Sequence, residues 1–110
     1  MGASKTDCYT FKQNKMALLA KAIGHPARIA IIDYLLSVQS CICGDIANVI
    51  PLAQPTISQH LRELKNVGII KGAVEGNAIC YCIDENIWNE LIDYFTDVSQ
   101  KLEAKKLNFC

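Results

Sequence analysis

The chain has 110 residues, 51% of them apolar and 20% charged, with 6 Gly and 3 Pro, which leaves room for one domain and excludes intrinsic disorder and collagen-like repeats. Net charge is zero but unevenly placed: through residue 72 eight Lys and Arg meet four Asp and Glu, giving +4, and the remainder is −4, so any polyanion surface belongs to the first part. No apolar run approaches the roughly 18 residues of a membrane span, and Met1–Lys5 lacks a signal peptide's apolar stretch, so a cytoplasmic protein with no membrane partner is expected.

Residues 1–13 are polar and lack helical periodicity, which predicts a flexible arm carrying Cys8. From Asn14 a helix is expected through Met16, Leu18, Leu19 and Ile23, stopped by Gly24 in a left-handed turn. Pro26 suits a first helical position, and Ile29, Ile32, Leu35 and Leu36 follow on one face. Ser40 then offers an N-cap for a short helix with Ile42, Ile46 and Val49 inward, ending before Pro51. Pro55 opens the next helix, with Ile57, Leu61 and Leu64 inside and Gly68 closing it. Two short helices joined by a tight turn make a helix-turn-helix.

After Gly68 the period becomes two. Residues 69–74 and 78–83 flank Glu75-Gly76-Asn77, which predicts a β-hairpin. Asp84 can cap a long last helix to about Lys106, followed by a tail over 107–110. Its stripe of Ile87, Trp88, Leu91, Ile92, Phe95, Val98 and Leu102 has no visible partner within the chain, which points to a dimer through the first and last helices. The fold class is therefore mainly α with a β-hairpin wing, a winged helix-turn-helix in the order ααααββα over residues 14–106.

Three segments extend this reading. Ala22-Ile23-Gly24-His25-Pro26-Ala27-Arg28-Ile29, Cys41-Ile42-Cys43-Gly44-Asp45-Ile46-Ala47 and Gln54-Pro55-Thr56-Ile57-Ser58-Gln59-His60-Leu61 resemble, in that order, the opening, the metal-site helix and the recognition helix of the small dimeric ArsR/SmtB repressors. The resemblance spans roughly residues 14–85. It implies a homodimer that holds double-stranded operator DNA when metal-free and leaves it when a soft thiophilic ion binds.

With Ile57, Leu61 and Leu64 inward, the opposite face of the recognition helix shows Gln54, Thr56, Ser58, Gln59 and Arg62. Gln can pair bidentately with adenine and Arg with guanine, while Ser and Thr near a helix N-terminus hold phosphate. His60 borders the buried stripe and is either a DNA contact or a packing histidine. Lys65 and Lys71 join Arg62 in phosphate attraction, since Glu75-Gly76-Asn77 brings no arginine to the wing tip.

The six cysteines are Cys8, Cys41, Cys43, Cys80, Cys82 and Cys110. Without an export signal, metal binding or thiol chemistry is expected in preference to a disulfide framework. If Ser40 is an N-cap, Cys41 and Cys43 lie in a first helical turn, where the macrodipole favours thiolate and where closure on one ion would distort the support of the recognition helix. Cys8 is the candidate third ligand, which the cadmium- and lead-sensing relatives would supply from the other subunit.

Three thiolates suit arsenic(III) or antimony(III) as inducer, ahead of cadmium, lead or zinc. The family's zinc site on the last helix would need histidines there, yet the two histidines are His25 and His60. Cys80 and Cys82 share one face of the second hairpin strand and are expected to point outward, as a second thiol site, a redox couple or tolerated residues. No nucleophile with its base is visible, so an enzyme is not expected. A thiol-redox or persulfide-sensing repressor keeps the DNA helix, and a metal-buffering protein keeps only the thiols.

Overall fold

The computed structural model describes residues 8–38, 42–43, 46–75 and 78–109, with main chain alone at 42, 43, 47, 48, 74, 75, 78, 79 and 107–109. Its elements are α1 (Phe11–Ile23), α2 (Pro26–Leu36), β1 (Ile42–Cys43), α3 (Ile46–Val49), α4 (Gln54–Asn66), β2 (Ile70–Glu75), β3 (Ala78–Ile83) and α5 (Glu85–Phe109). This is a winged helix, with α3 and α4 as the helix-turn-helix and β2–β3 as the wing. Among the described residues no helix is long and apolar enough to cross a membrane.

The first helix begins three residues before the expected Asn14, so 11–13 are not part of an arm. Thr10 Oγ1 accepts from the Gln13 amide and Gln13 Oε1 accepts from the Thr10 amide, both at 3.0 Å. This reciprocal capping box satisfies two end donors at once. Gly24 ends α1 at φ −81°, without the left-handed turn expected of it. His25 and Pro26 start α2 immediately, and His25 Nδ1 accepts from the Ala27 amide at 3.0 Å. Gly68 does adopt the left-handed region at φ 87°, where any Cβ would be strained. Asp84 caps α5 through Oδ1 to the Ile87 amide at 3.2 Å.

Buried faces follow helical spacing, shifted by one residue in places. Met16, Leu19 and Ala22 of α1 point inward and Leu18 outward. In α2 the buried set is Ile31, Ile32 and Leu35, while the expected Ile29 and Leu36 are exposed. In α3 Ile46 is buried and the expected Val49 gives way to Ile50. In α4 Ile57, Leu61 and Leu64 are buried as expected, and they join Ile69, Ile70 and Leu91 in one core.

The largest departure lies ahead of α3. Ile42–Cys43 form a strand rather than the first turn of a helix, and α3 spans only Ile46–Val49. β1 pairs antiparallel with β3, Ile42 opposite Tyr81 and Cys43 opposite Cys80. The sheet is therefore three-stranded in the order β1-β3-β2. The edge of β3 favours a strand here, since backbone groups left unbonded along it would be costly.

Candidate nucleic-acid interface and thiol site

α4 has a strongly two-sided sequence, and packing of Ile57, Leu61 and Leu64 turns Gln54, Thr56, Gln59, Arg62 and Lys65 to solvent, with Ser58 half-buried. These side chains are ordered along the helix. Gln54 Nε2 donates to Ser58 Oγ at 3.3 Å, Gln59 Nε2 to Glu63 Oε2 at 3.1 Å, and Arg62 Nη1 to Gln59 Oε1 at 2.8 Å. Pro55 lies in the first turn and no side chain caps the helix. Free amide donors therefore remain for a phosphate. Lys71 is exposed on β2, while the wing-tip residues 76–77 lie outside the described residues.

Of the two readings open for His60, the side chain takes the packing position. It is only 8% exposed, its ring lies 4.5 Å from that of His25, and its Nδ1 accepts from Arg28 Nε at 3.0 Å. Burial, then His25, then Arg28 hold its pKa below the ordinary value of 6.5, so the ring is a neutral acceptor inside the fold. Arg28 also donates through Nη1 to the Ala22 carbonyl at 3.0 Å. The lock among α1, α2 and α4 was not visible in residue spacing.

Of the expected ion ligands, Cys8 is exposed just before α1, and Cys41 lies outside the described residues. Cys43 lies in β1, so the helix-dipole argument for its thiolate does not hold. Cys80 is buried at 3% exposure and Cys82 half-buried, which corrects the expectation that the pair points outward. Both are disulfide-bonded. Between them, Tyr81 packs against the core and lines a shallow groove of about 200 Å³ with Ser58, Leu61, Arg62 and Lys65. β3 packs against α2, and α4 against β2. Among the described residues no three His, Cys, Asp or Glu side chains gather in a metal-binding group.

On α5, Leu91 is buried, and Ile87 and Trp88 pack on the core. Ile92, Phe95, Val98 and Leu102 are exposed by 41–55%, so the outer part of the stripe is uncovered by the described residues. Lys15 Nζ bonds Glu90 Oε1 at 2.8 Å and joins α1 to α5 beside it.

The profile of the bacterial regulatory protein, arsR family, matches residues 25–71. A cadmium resistance transcriptional regulatory protein CadC homolog of Staphylococcus aureus is 40% identical, over 74% of this chain and 69% of its own length. An uncharacterized HTH-type transcriptional regulator of Methanocaldococcus jannaschii is 39% identical, over 74% of this chain and 91% of its own. An ArsR-like transcriptional regulator from Rhodococcus sp. RHA1 superposes with a TM-score of 0.76 over 90% of this chain and 92% of that one, at 15% identity.

Proposed function

Since this chain belongs to the arsR family of bacterial regulatory proteins, we propose that it works as a homodimeric repressor that leaves its operator when cysteines beside β1 capture a soft, thiophilic ion. One observation carries this reading: Cys43 lies three residues before α3 begins at Ile46, and α3 packs against α4. An ion that draws on Cys41 and Cys43 therefore acts on the support of the DNA-reading helix. Gln59 and Arg62 are the base-reading groups, and Thr56, Ser58, Lys65 and Lys71 hold phosphate. The exposed stripe of α5 forms the dimer contact, joined by α1.

Arsenic(III) and antimony(III) fit a site of three thiolates, and cadmium or zinc a site of four. The similarity to a cadmium resistance regulator adds weight to a divalent ion. A thiol-redox repressor is the second reading, favoured by the disulfide-bonded state of Cys80 and Cys82. The relatives are regulators and no enzymatic role is proposed. A gel shift of reduced protein on promoter DNA tests the reading: cadmium or arsenite should release wild type, while Cys41→Ser and Cys43→Ser stay bound. Retention of DNA by wild type with either ion, together with release on disulfide formation, would move the assignment to redox sensing.

A further inference from the structure

We propose that the hollow between the start of α2 and the turn joining α3 to α4 is an effector site for a small aryl or branched-alkyl carboxylate, a second input to the same helix-turn-helix. Its effect on DNA rests on the repressor reading above, whereas its occupancy does not.

The hollow has a volume of about 520 Å³, inside the roughly 300 to 1,000 Å³ usual for small-molecule sites. Pro26 and Ala30 of α2 line it together with Ile50, Pro51 and Leu52 of the turn. These side chains offer a ligand apolar contact and no hydrogen bond. Polar side chains come from three residues: Thr56 in the first turn of α4, His25 and His60. His60 is buried and His25 exposed, so the two rings, 4.5 Å apart, run from the inside of the hollow to its rim. Apolar walls with a few convergent polar groups are the usual make-up of a ligand site.

The histidines decide what the ligand must carry. His25 Nδ1 accepts from the Ala27 amide and His60 Nδ1 from Arg28 Nε, each at 3.0 Å. A ring nitrogen that accepts holds no proton, so each ring keeps its hydrogen on Nε2 as a donor for the hollow. A metal ion at Nε2 would have to displace that hydrogen and leave an imidazolate, which disfavours a cation. An oxygen acceptor is matched instead. The Arg28 guanidinium stands one ring behind, and its positive charge favours an anionic acceptor over a neutral one. A carboxylate on an apolar body meets each of these conditions. Such a ligand joins the start of α2 to Thr56, a side chain assigned above to phosphate, and so competes with the operator for the first turn of α4.

The test uses reduced, metal-free, full-length protein titrated with phenylacetate and, separately, with the cationic phenethylamine. Long-range proton–nitrogen spectra of the histidine rings report binding, and anisotropy reports operator affinity. Phenylacetate should shift the Nε2 signals of His25 and His60 to saturation, and phenethylamine should leave them in place. Operator affinity should fall by about 5 to 150-fold at saturating phenylacetate. Ala30→Phe, at an exposed position of α2, fills the hollow and should keep operator binding while losing the shifts. His25→Asn retains a cap for α2 and withdraws one donor. It should bind phenylacetate about tenfold or more weakly, which keeps the test open if Ala30→Phe does not fold. Absent shifts, shifts unchanged in both variants, equal shifts with phenethylamine, or saturation without loss of operator affinity would each overturn the inference and leave the repressor reading intact. Histidine shifts in a wild type that binds no operator even without phenylacetate would overturn the repressor reading instead.

Discussion

Arg28 donates from Nε to His60 Nδ1 at 3.0 Å and from Nη1 to the Ala22 carbonyl at 3.0 Å, so one side chain of α2 fixes both the end of α1 and the inner face of the reading helix. Arg28→Met keeps the apolar stem and removes both donors. Each part-buried acceptor left without its partner costs about 1 to 3 kcal/mol. The urea midpoint should fall with an unchanged slope. A midpoint equal to wild type would show that these bonds contribute nothing.

The same ring sets a pH dependence. His60 has its pKa lowered in the fold, by burial first and then by His25 and Arg28, so the unfolded chain takes up a proton that the folded one resists. Stability is complete above the unfolded value of about 6.5, declines as pH falls below it, and levels off once pH passes the folded value. Urea unfolding at about pH 7.5 and about pH 5.5 should show a smaller acid loss in His60→Gln than in wild type. Equal losses would remove His60 as the titrating group.

On α4, Gln59 stands between Arg62 and Glu63 in a run of hydrogen bonds, so its amide is held in place before DNA arrives. Gln59→Ala should cost about 1 to 3 kcal/mol of discrimination at one base pair and little in nonspecific affinity. Lys65→Ala should weaken all sequences alike and lower the salt slope by about one. Anisotropy with operator and scrambled duplexes over a salt series separates the two, and equal losses on both duplexes for Gln59→Ala would reject base reading.

Phe95 is 46% exposed in the middle of the outer stripe of α5. A charge there would be buried on association, so Phe95→Glu should give monomers in sedimentation equilibrium and lose operator affinity while keeping its helical circular dichroism. A dimeric Phe95→Glu would place the interface elsewhere.

Much of this was legible in the sequence, because core-facing residues of a helix recur at helical spacing: Ile57, Leu61 and Leu64 fixed the outward face of α4 without any structure. Asp84 and Gly68 marked boundaries for the same local reason. β1 was misread. Ser40 and two cysteines suit a helix start on propensity alone, and only the edge of β3, far along the chain, makes Ile42–Cys43 a strand. The burial of Cys80 and the inward turn of His60 also depend on contacts of high sequence separation, which no local pattern encodes. That Cys43 stands opposite Cys80 is likewise a property of the sheet.

Ion capture and operator binding should oppose each other through β1, α3 and α4, and linkage makes the opposition equal in both directions. Cadmium affinity of the reduced protein, measured by chelator competition with and without saturating operator duplex, should be weaker on DNA by about 5 to 150-fold, and this difference should vanish in Cys43→Ser. Identical cadmium affinities for free and DNA-bound wild type would mean that the thiols do not govern release.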